Sequence, residues 1–239
     1  MSTPIFLIRE AKESDGQFLA DSFDSSVRHL ATIGSIGQWG TELFSQRQNA
    51  SNDKDEKVVR QALRYMSTGE GKPVCVYIAE VEIPSSAVKE LPESVHTRTD
   101  NEGKFFLAVG TVRLSDDFMP DYVRAFLHQD KLKNELDGKK DYVWLEALIT
   151  DFRTGSWRKG AGAALIRYSE EYCRRKSMST LYVDSWAGNN GALVKYYEGQ
   201  GFSVIDFFEG PKPDGSVWHG AIYKKKVIVE DRNERNLEY

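Results

Sequence analysis

The sequence predicts an α+β domain built on one mixed, mostly antiparallel sheet flanked by helices. Three observations carry this. Strand-like and helix-like hydrophobic periods alternate along the whole length, with no fixed repeat and no low-complexity tract. The pattern contains a single strand–helix–strand crossover, where a doubly wound sheet needs several. The chain has 239 residues, 40% hydrophobic and 28% charged, which suits one well-filled core. We therefore read residues 1–239 as a single domain.

The elements follow in order. Pro4 to Arg9 reads as a strand. Residues 13–30 carry Phe18, Leu19, Phe23, Val27 and Leu30 at roughly helical spacing. The glycines of Ala31–Thr41 break that helix into a structured loop. Asn52 to Thr68 returns to helix, with Asn52 or Asp53 as N-cap. Val74–Ile83 and Lys104–Leu114 are strands, and the polar stretch 85–103 between them reads as a long exposed loop. Pro120–Gln129 is a short helix, and Asp130–Lys140 is a charged, solvated connection. Tyr142–Thr150 is a strand. Gly160–Lys176 is the clearest helix, with Ala161, Ala164, Leu165, Tyr168 and Tyr172 on one face. A short strand at Leu181–Asp184 and a helix at 190–199 follow. Phe202–Phe208 and Val217–Val229 close the chain as a hairpin around Pro211, Pro213 and Gly215.

Composition excludes several classes. A net charge of −4 gives no general basic field for nucleic acid or an anionic membrane surface. No segment approaches the roughly 18 apolar residues of a membrane span. The first residues lack a basic leader and an apolar run, and two cysteines cannot form a disulfide framework, so a cytoplasmic location is expected. Cys75 and Cys173 sit in strand and helix patterns as packing residues. His29, His96, His128 and His219 show no zinc spacing, and no metal is expected.

The most informative stretch runs from Leu145 to Ile166. A strand leads through a turn carrying Gly160 and Gly162 into an amphipathic helix. Free amides at a helix start, aided by the helix dipole and by Arg158 and Lys159, favour a phosphate. The P-loop pattern is absent. A dinucleotide fingerprint has Leu165 where its third glycine belongs, although Asp184 stands where a ribose-binding acid could be. The third design for such a turn is the pyrophosphate loop of coenzyme A acyltransferases.

A second segment, Val183 to Phe202, favours the third design. With it, residues 142–208 resemble the GNAT N-acetyltransferase superfamily. The glycine turn is similar to that family's motif A, usually Arg/Gln-x-x-Gly-x-Gly/Ala. Asn190, Leu193, Tyr197, Gly201 and Phe202 are similar to its motif B. Trp157 departs from motif A where the family has Arg or Gln, and Arg158 follows one place later. The earlier order of strands and helices also resembles the family's layout.

The resemblance implies a GNAT-like sheet splayed between its fourth and fifth strands, with acetyl-CoA in the cleft as acyl-donor cosubstrate. It implies that backbone at Leu148, Ile149 and Thr150 meets the pantetheine arm. Amides of Arg158, Lys159, Gly160, Ala161, Gly162 and Ala163 would hold the pyrophosphate, and Asn190 would touch the pantetheine arm. Tyr197 would lie near the sulfur as general acid. The acceptor would be an amine attacking directly in a ternary complex, and the isolated domain and acidic balance favour a small-molecule primary amine. A homodimer is an arrangement the resemblance allows.

Residue chemistry adds candidates. An alkyl amine with a pKa of about 10.4 must lose a proton before it attacks. Glu146, on the strand leading to the implied cleft, is the candidate base. Trp39, in a loop with Gln38 and Glu42, and Trp186 are candidate acceptor-binding residues. Two other readings use the same fold: a non-catalytic coenzyme A sensor and a protein N-acetyltransferase.

Overall fold

A computed structural model of the chain describes residues 4–47, 53–212 and 215–229. The strand patterns become β1 (Phe6–Glu10), β2 (Val74–Ile83), β3 (Thr97–Thr99), β4 (Phe105–Asp116), β5 (Tyr142–Thr150), β6 (Thr180–Trp186), β7 (Ser203–Pro211) and β8 (Val217–Lys226). They form one sheet in the order β1-β2-β4-β5-β6-β8-β7, and the short β3 pairs with β4. Every pairing is antiparallel except β5 with β6. The helices are α1 (Gly16–Thr32), α2 (Asp53–Thr68), α3 (Ser85–Val88), α4 (Asp121–Arg124), α5 (Asp130–Leu136), α6 (Ala161–Arg175) and α7 (Gly188–Gly199).

Strand alternation sorts the core onto two faces. On one face Val74, Val76 and Ile78 of β2 pack with Phe18 and Leu19 of α1 and Val59 and Ala62 of α2. On the other, Cys75, Tyr77 and Ala79 join Val143 and Leu145 of β5 and Ala161, Leu165 and Ile166 of α6. Trp144 of β5, Tyr182 of β6 and Phe208 of β7 form a third cluster with the α4–α5 region.

The parallel pair sets the functional geometry. Its register runs from Tyr142↔Thr180 to Leu145↔Val183 and stops there. On the other side of β5, β4 remains paired as far as Thr150. Glu146 is the extra residue of a bulge, because Arg113 faces Ala147 while Leu114 faces Leu145. Beyond that bulge β5 and β6 diverge, and the β6-facing backbone of β5 has no strand partner. This is the expected splay; the three-residue β3 shifts the count, so the fourth and fifth strands of the expectation are β5 and β6.

Two sequence expectations are corrected. The stretch 130–140 is not a solvated connection: α5 occupies most of it, with Leu132 and Leu136 fully buried against the Trp144 cluster. An i, i+4 apolar pair suffices to dock the helix although charged residues outnumber it. The stretch 85–103 is not simply an exposed loop. It contains α3 and β3, and Arg153 donates to the Ser94 carbonyl at 2.6 Å. Asn52 and Pro213 lie outside the described residues, as does the side chain of Asp53.

Candidate active site

The diverging strands open two adjoining cavities. One is lined by Leu148, Ile149 and Thr150 of β5, by Arg158, Lys159, Gly160, Gly162 and Ala163, and by Tyr196 and Tyr197 of α7. The other, of about 630 Å³, is lined by Arg113, Glu146, Asp184, Trp186 and a set of aromatic rings. Gln38, Trp39, Leu148, Ile149, Leu193 and Tyr197 line both.

Local backbone explains the first cavity. Asp151 accepts the Arg153 amide and nucleates a 3-10 segment over Phe152–Arg158. Gly160, at φ 92°, then turns the chain into α6 in a left-handed conformation that a side chain would strain. The first-turn amides of α6 have no helical partner, and Gly162 and Ala163 of that turn line this cleft. Arg158 stacks 3.7 Å over Phe152, whose other neighbour is the His29 ring, with centroids 3.8 Å apart. Burial pulls the Arg158 guanidinium below its usual pKa. Its Nε is buried without a hydrogen-bond partner among the described residues. An orphaned cationic N–H beside free helix amides is a fit for an anionic group.

Tyr197 stands at the junction of the cavities. Its ring packs on Tyr196, Phe202 and Tyr223 at 5.3–5.5 Å. Burial pushes its hydroxyl far above the usual phenol pKa, so it holds its proton throughout the physiological range.

The second cavity brings Trp39 and Trp186 together with residues that sequence reasoning passed over. Phe23 and Phe44 pack against Trp39, and Phe126 and Trp218 pack against Phe208. Lys212 Nζ donates to the Gly37 carbonyl at 2.5 Å and Trp218 Nε1 to the Gln38 carbonyl at 3.3 Å. These bonds tie the β7–β8 hairpin to the loop after α1 across the cavity. Neither cavity is lined by residues 85–103, so that excursion does not cover the cleft.

The two carboxylates of this cavity differ sharply. Glu146, the sequence candidate for the base, is held by cations. Arg113 Nε stands 2.9 Å away and Lys72 Nζ 3.1 Å, and Ser115 donates to the same carboxylate. Asp184 has no cationic partner among the described residues. Its Oδ1 accepts from Tyr122 at 2.7 Å and Trp144 Nε1 at 3.3 Å. Burial, aided by the Glu146 charge and opposed by those hydrogen bonds, pushes its pKa up to about 6. A signal for Asp184 existed in the sequence: an acid inside the largely apolar strand Thr180–Trp186, in phase with Tyr182.

Two residues of the implied cofactor set line neither cavity. Ala161 is fully buried in the core, although its amide belongs to the first turn of α6. Asn190 is exposed, in left-handed backbone at the start of α7, and lines neither cavity. Burial pushes both cysteine thiols up, Cys173 to about 12, as expected of packing residues.

Comparison with known proteins agrees with this architecture. A crystal structure of ribosomal-protein-alanine N-acetyltransferase from Brucella melitensis is similar at a TM-score of 0.55 and 17% identity, over 92% of this chain and 99% of that one. An N-acetyltransferase from Staphylococcus aureus Mu50 is similar at 0.55 and 12% identity, over 94% and 99%. The Salmonella typhimurium protein yncA, solved with its cofactor acetyl-CoA, is similar at 0.54 and 13% identity, over 94% and 95%. At these identities the likeness is one of fold. Comparison with curated protein sequences gives no match. Residues 92–202, which span the unpaired edge of β5, the α6 turn and Tyr197, match the model of the Acetyltransferase (GNAT) family.

Proposed function

We propose that the protein is an acetyl-CoA-dependent N-acetyltransferase acting on a small-molecule primary amine through a ternary complex. The observation that carries the reading is the continuity of the two cavities, which meet at Tyr197 and at the free edge of β5. One cavity has the chemistry for a pyrophosphate: free first-turn amides and the unpartnered Nε of Arg158. Lys159, Gly160, Gly162 and Ala163 complete it, and Leu148–Thr150 offer unpaired backbone to an extended amide-bearing arm. The other cavity opens toward the same strand edge and receives the amine.

Acetyl-CoA supplies an activated thioester when bound. Tyr197, held protonated by burial, donates to the departing thiolate. The amides of the splayed strand hold the thioester carbonyl as charge develops on its oxygen. Glu146 keeps Arg113, Lys72 and Ser115 in place along the bulge, and we assign it a positioning role. The acceptor cavity, strapped across by Lys212 and Trp218, favours a small molecule over a protein chain.

Calorimetric titration with acetyl-CoA, with NADH and NADPH in parallel, tests the reading. Saturable acetyl-CoA binding followed by amine-dependent thiol release is the expected result. Binding of NAD(P)H without acetyl-CoA would reassign the Gly160 turn to a dinucleotide. Acetyl-CoA binding with no turnover on any amine would select a sensor module.

A further inference from the structure

The acceptor cavity carries a more specific statement, which rests on the acyltransferase reading above. We propose that its substrate is a monocationic amine with an aromatic or similarly apolar body, anchored by its ammonium on Asp184, which also takes its proton.

Charge is the first argument. Four charged side chains line the cavity: Arg113, Glu146, Asp184 and Lys212. Three of them are engaged. Arg113 and Glu146 face each other, with Lys72 on the same carboxylate, and Lys212 is bonded to the Gly37 carbonyl. Asp184 is the remaining charge, and its partners are neutral donors. Both donate to Oδ1, so Oδ2 accepts from no other side chain among the described residues. An anion half-buried beside an apolar cavity is costly without a counter-ion, and an ammonium ligand supplies one. The cavity offers a polyamine's second ammonium no second free carboxylate.

The walls are the second argument. Phe23, Trp39, Phe44, Phe126, Trp186 and Trp218 face the cavity from α1, its following loop, the α4 region, β6 and β8. Aromatic faces attract a cation and bury an apolar body at the same time. About 630 Å³ accommodates a compact amine.

Asp184 shares the Tyr182 face of β6, and Tyr197 comes from α7 on the other face. The gap between β5 and β6 joins them. In the step, an N–H bond of the ammonium breaks and its proton passes to the Asp184 carboxylate. The freed electron pair bonds to the thioester carbonyl carbon, and the C–S bond breaks with its pair on sulfur. Sulfur takes the Tyr197 proton, and the proton that nitrogen sheds on becoming an amide returns to that phenolate. Asp184 releases its proton to water. The products are an N-alkyl acetamide and free coenzyme A.

The groups around Asp184 fix the expected pH response. Tyr122 from α4 and Trp144 from β5 donate to it. Glu146 on β5 opposes its charge, and Tyr197 on α7 is neutral. The rate on an amine therefore rises with pH through about 6.

The test first measures acetyl-CoA affinity by calorimetry on wild type and Asp184→Asn; absence of binding to wild type would defeat the acyltransferase reading alone. Amine binding is then followed by the fluorescence of the cavity tryptophans, without cosubstrate. Turnover is followed by thiol release with phenethylamine, spermidine, L-phenylalanine and a tetrapeptide with a free N-terminal alanine. We expect phenethylamine to quench saturably and to exceed the others at least tenfold in kcat/KM. Asp184→Asn should weaken its binding at least tenfold and cut kcat/KM about a hundredfold at unchanged acetyl-CoA affinity. Tyr122→Phe, a milder change, should move the acidic midpoint of the rate upward. Preference for spermidine, L-phenylalanine or the peptide, or no quench by phenethylamine, would overturn the proposal, as would an Asp184→Asn enzyme with wild-type binding and rate.

Discussion

The indole of Trp186 lies so close over Gly188 that a Cβ there would stand 2.1 Å from its Cζ2. Gly37 approaches the same ring from the loop after α1, where a Cβ would stand 2.7 Å away. Two backbones without side chains thus hold the wall of the Asp184 cavity between the end of β6, the start of α7 and that loop. Gly188→Ala must displace the ring, because the clash is with the body of an indole and not with a flexible tip. We expect a loss of about 1–3 kcal/mol of stability from overpacking. The amine KM should rise several-fold while the acetyl-CoA Kd stays within twofold. Paired denaturation and steady-state kinetics check this.

Tyr197→Phe keeps the ring that packs against Phe202 and Tyr223 and removes only the hydroxyl. The expected outcome is a kcat about a hundredfold lower, the size of one general-acid contribution. Acetyl-CoA affinity should be unchanged and the loss of stability under about 1 kcal/mol. A wild-type kcat would remove Tyr197 as the proton donor.

Gly162 sits in the first turn of α6, where an added Cβ would meet the Tyr196 hydroxyl at 2.6 Å. Gly162→Ala can be absorbed by a swing of that hydroxyl. Gly162→Trp fills the cleft and should weaken acetyl-CoA binding more than a hundredfold by calorimetry. A folded variant that still binds normally would show that the pyrophosphate lies elsewhere.

Glu146→Gln tests which carboxylate does chemistry. It deprives Arg113 and Lys72 of their anion at a side chain only 8% exposed. We expect a loss of about 1–3 kcal/mol of stability in urea. The acidic limb of the rate profile should persist but move to lower pH, because it belongs to Asp184 and the Glu146 charge that helps raise its pKa is gone. Disappearance of that limb would return the base to Glu146.

Asp184→Asn should separate stability from activity. The folded-state pKa of about 6 lies above the ordinary 3.8, so between these values the folded protein binds more protons than the unfolded chain. Stability from this group therefore falls as pH rises through that window and stays low above it. Asparagine removes the half-buried charge, and its carbonyl can still accept from Tyr122 and Trp144. At pH 8 the variant should be more stable by on the order of 1–3 kcal/mol, with the difference vanishing below about pH 4. Urea unfolding at the two pH values checks the sign.

The sequence by itself determined the element order, the single parallel crossover and the glycine turn that opens α6. Those features are local. A glycine turn before an amphipathic helix and a tyrosine at fixed spacing on the next helix depend on backbone conformation and periodicity over a few residues. Tertiary structure decided the cavity around Asp184. Glu146 and Asp184 are both acids on apolar strands, and nothing in their neighbours along the chain separates them. Arg113 and Lys72 reach one, whereas Tyr122 and Trp144 reach the other, from positions 33–74 residues away in sequence for Glu146 and 40–62 for Asp184. The aromatic wall is likewise assembled from α1, the α4 region, β6 and β8. The same holds for α5, whose two leucines count as core only because Trp144 and Tyr182 lie beneath them. The electrostatic environment of a buried group is set by contacts across the fold, and those appear only when the sheet is closed on its helices.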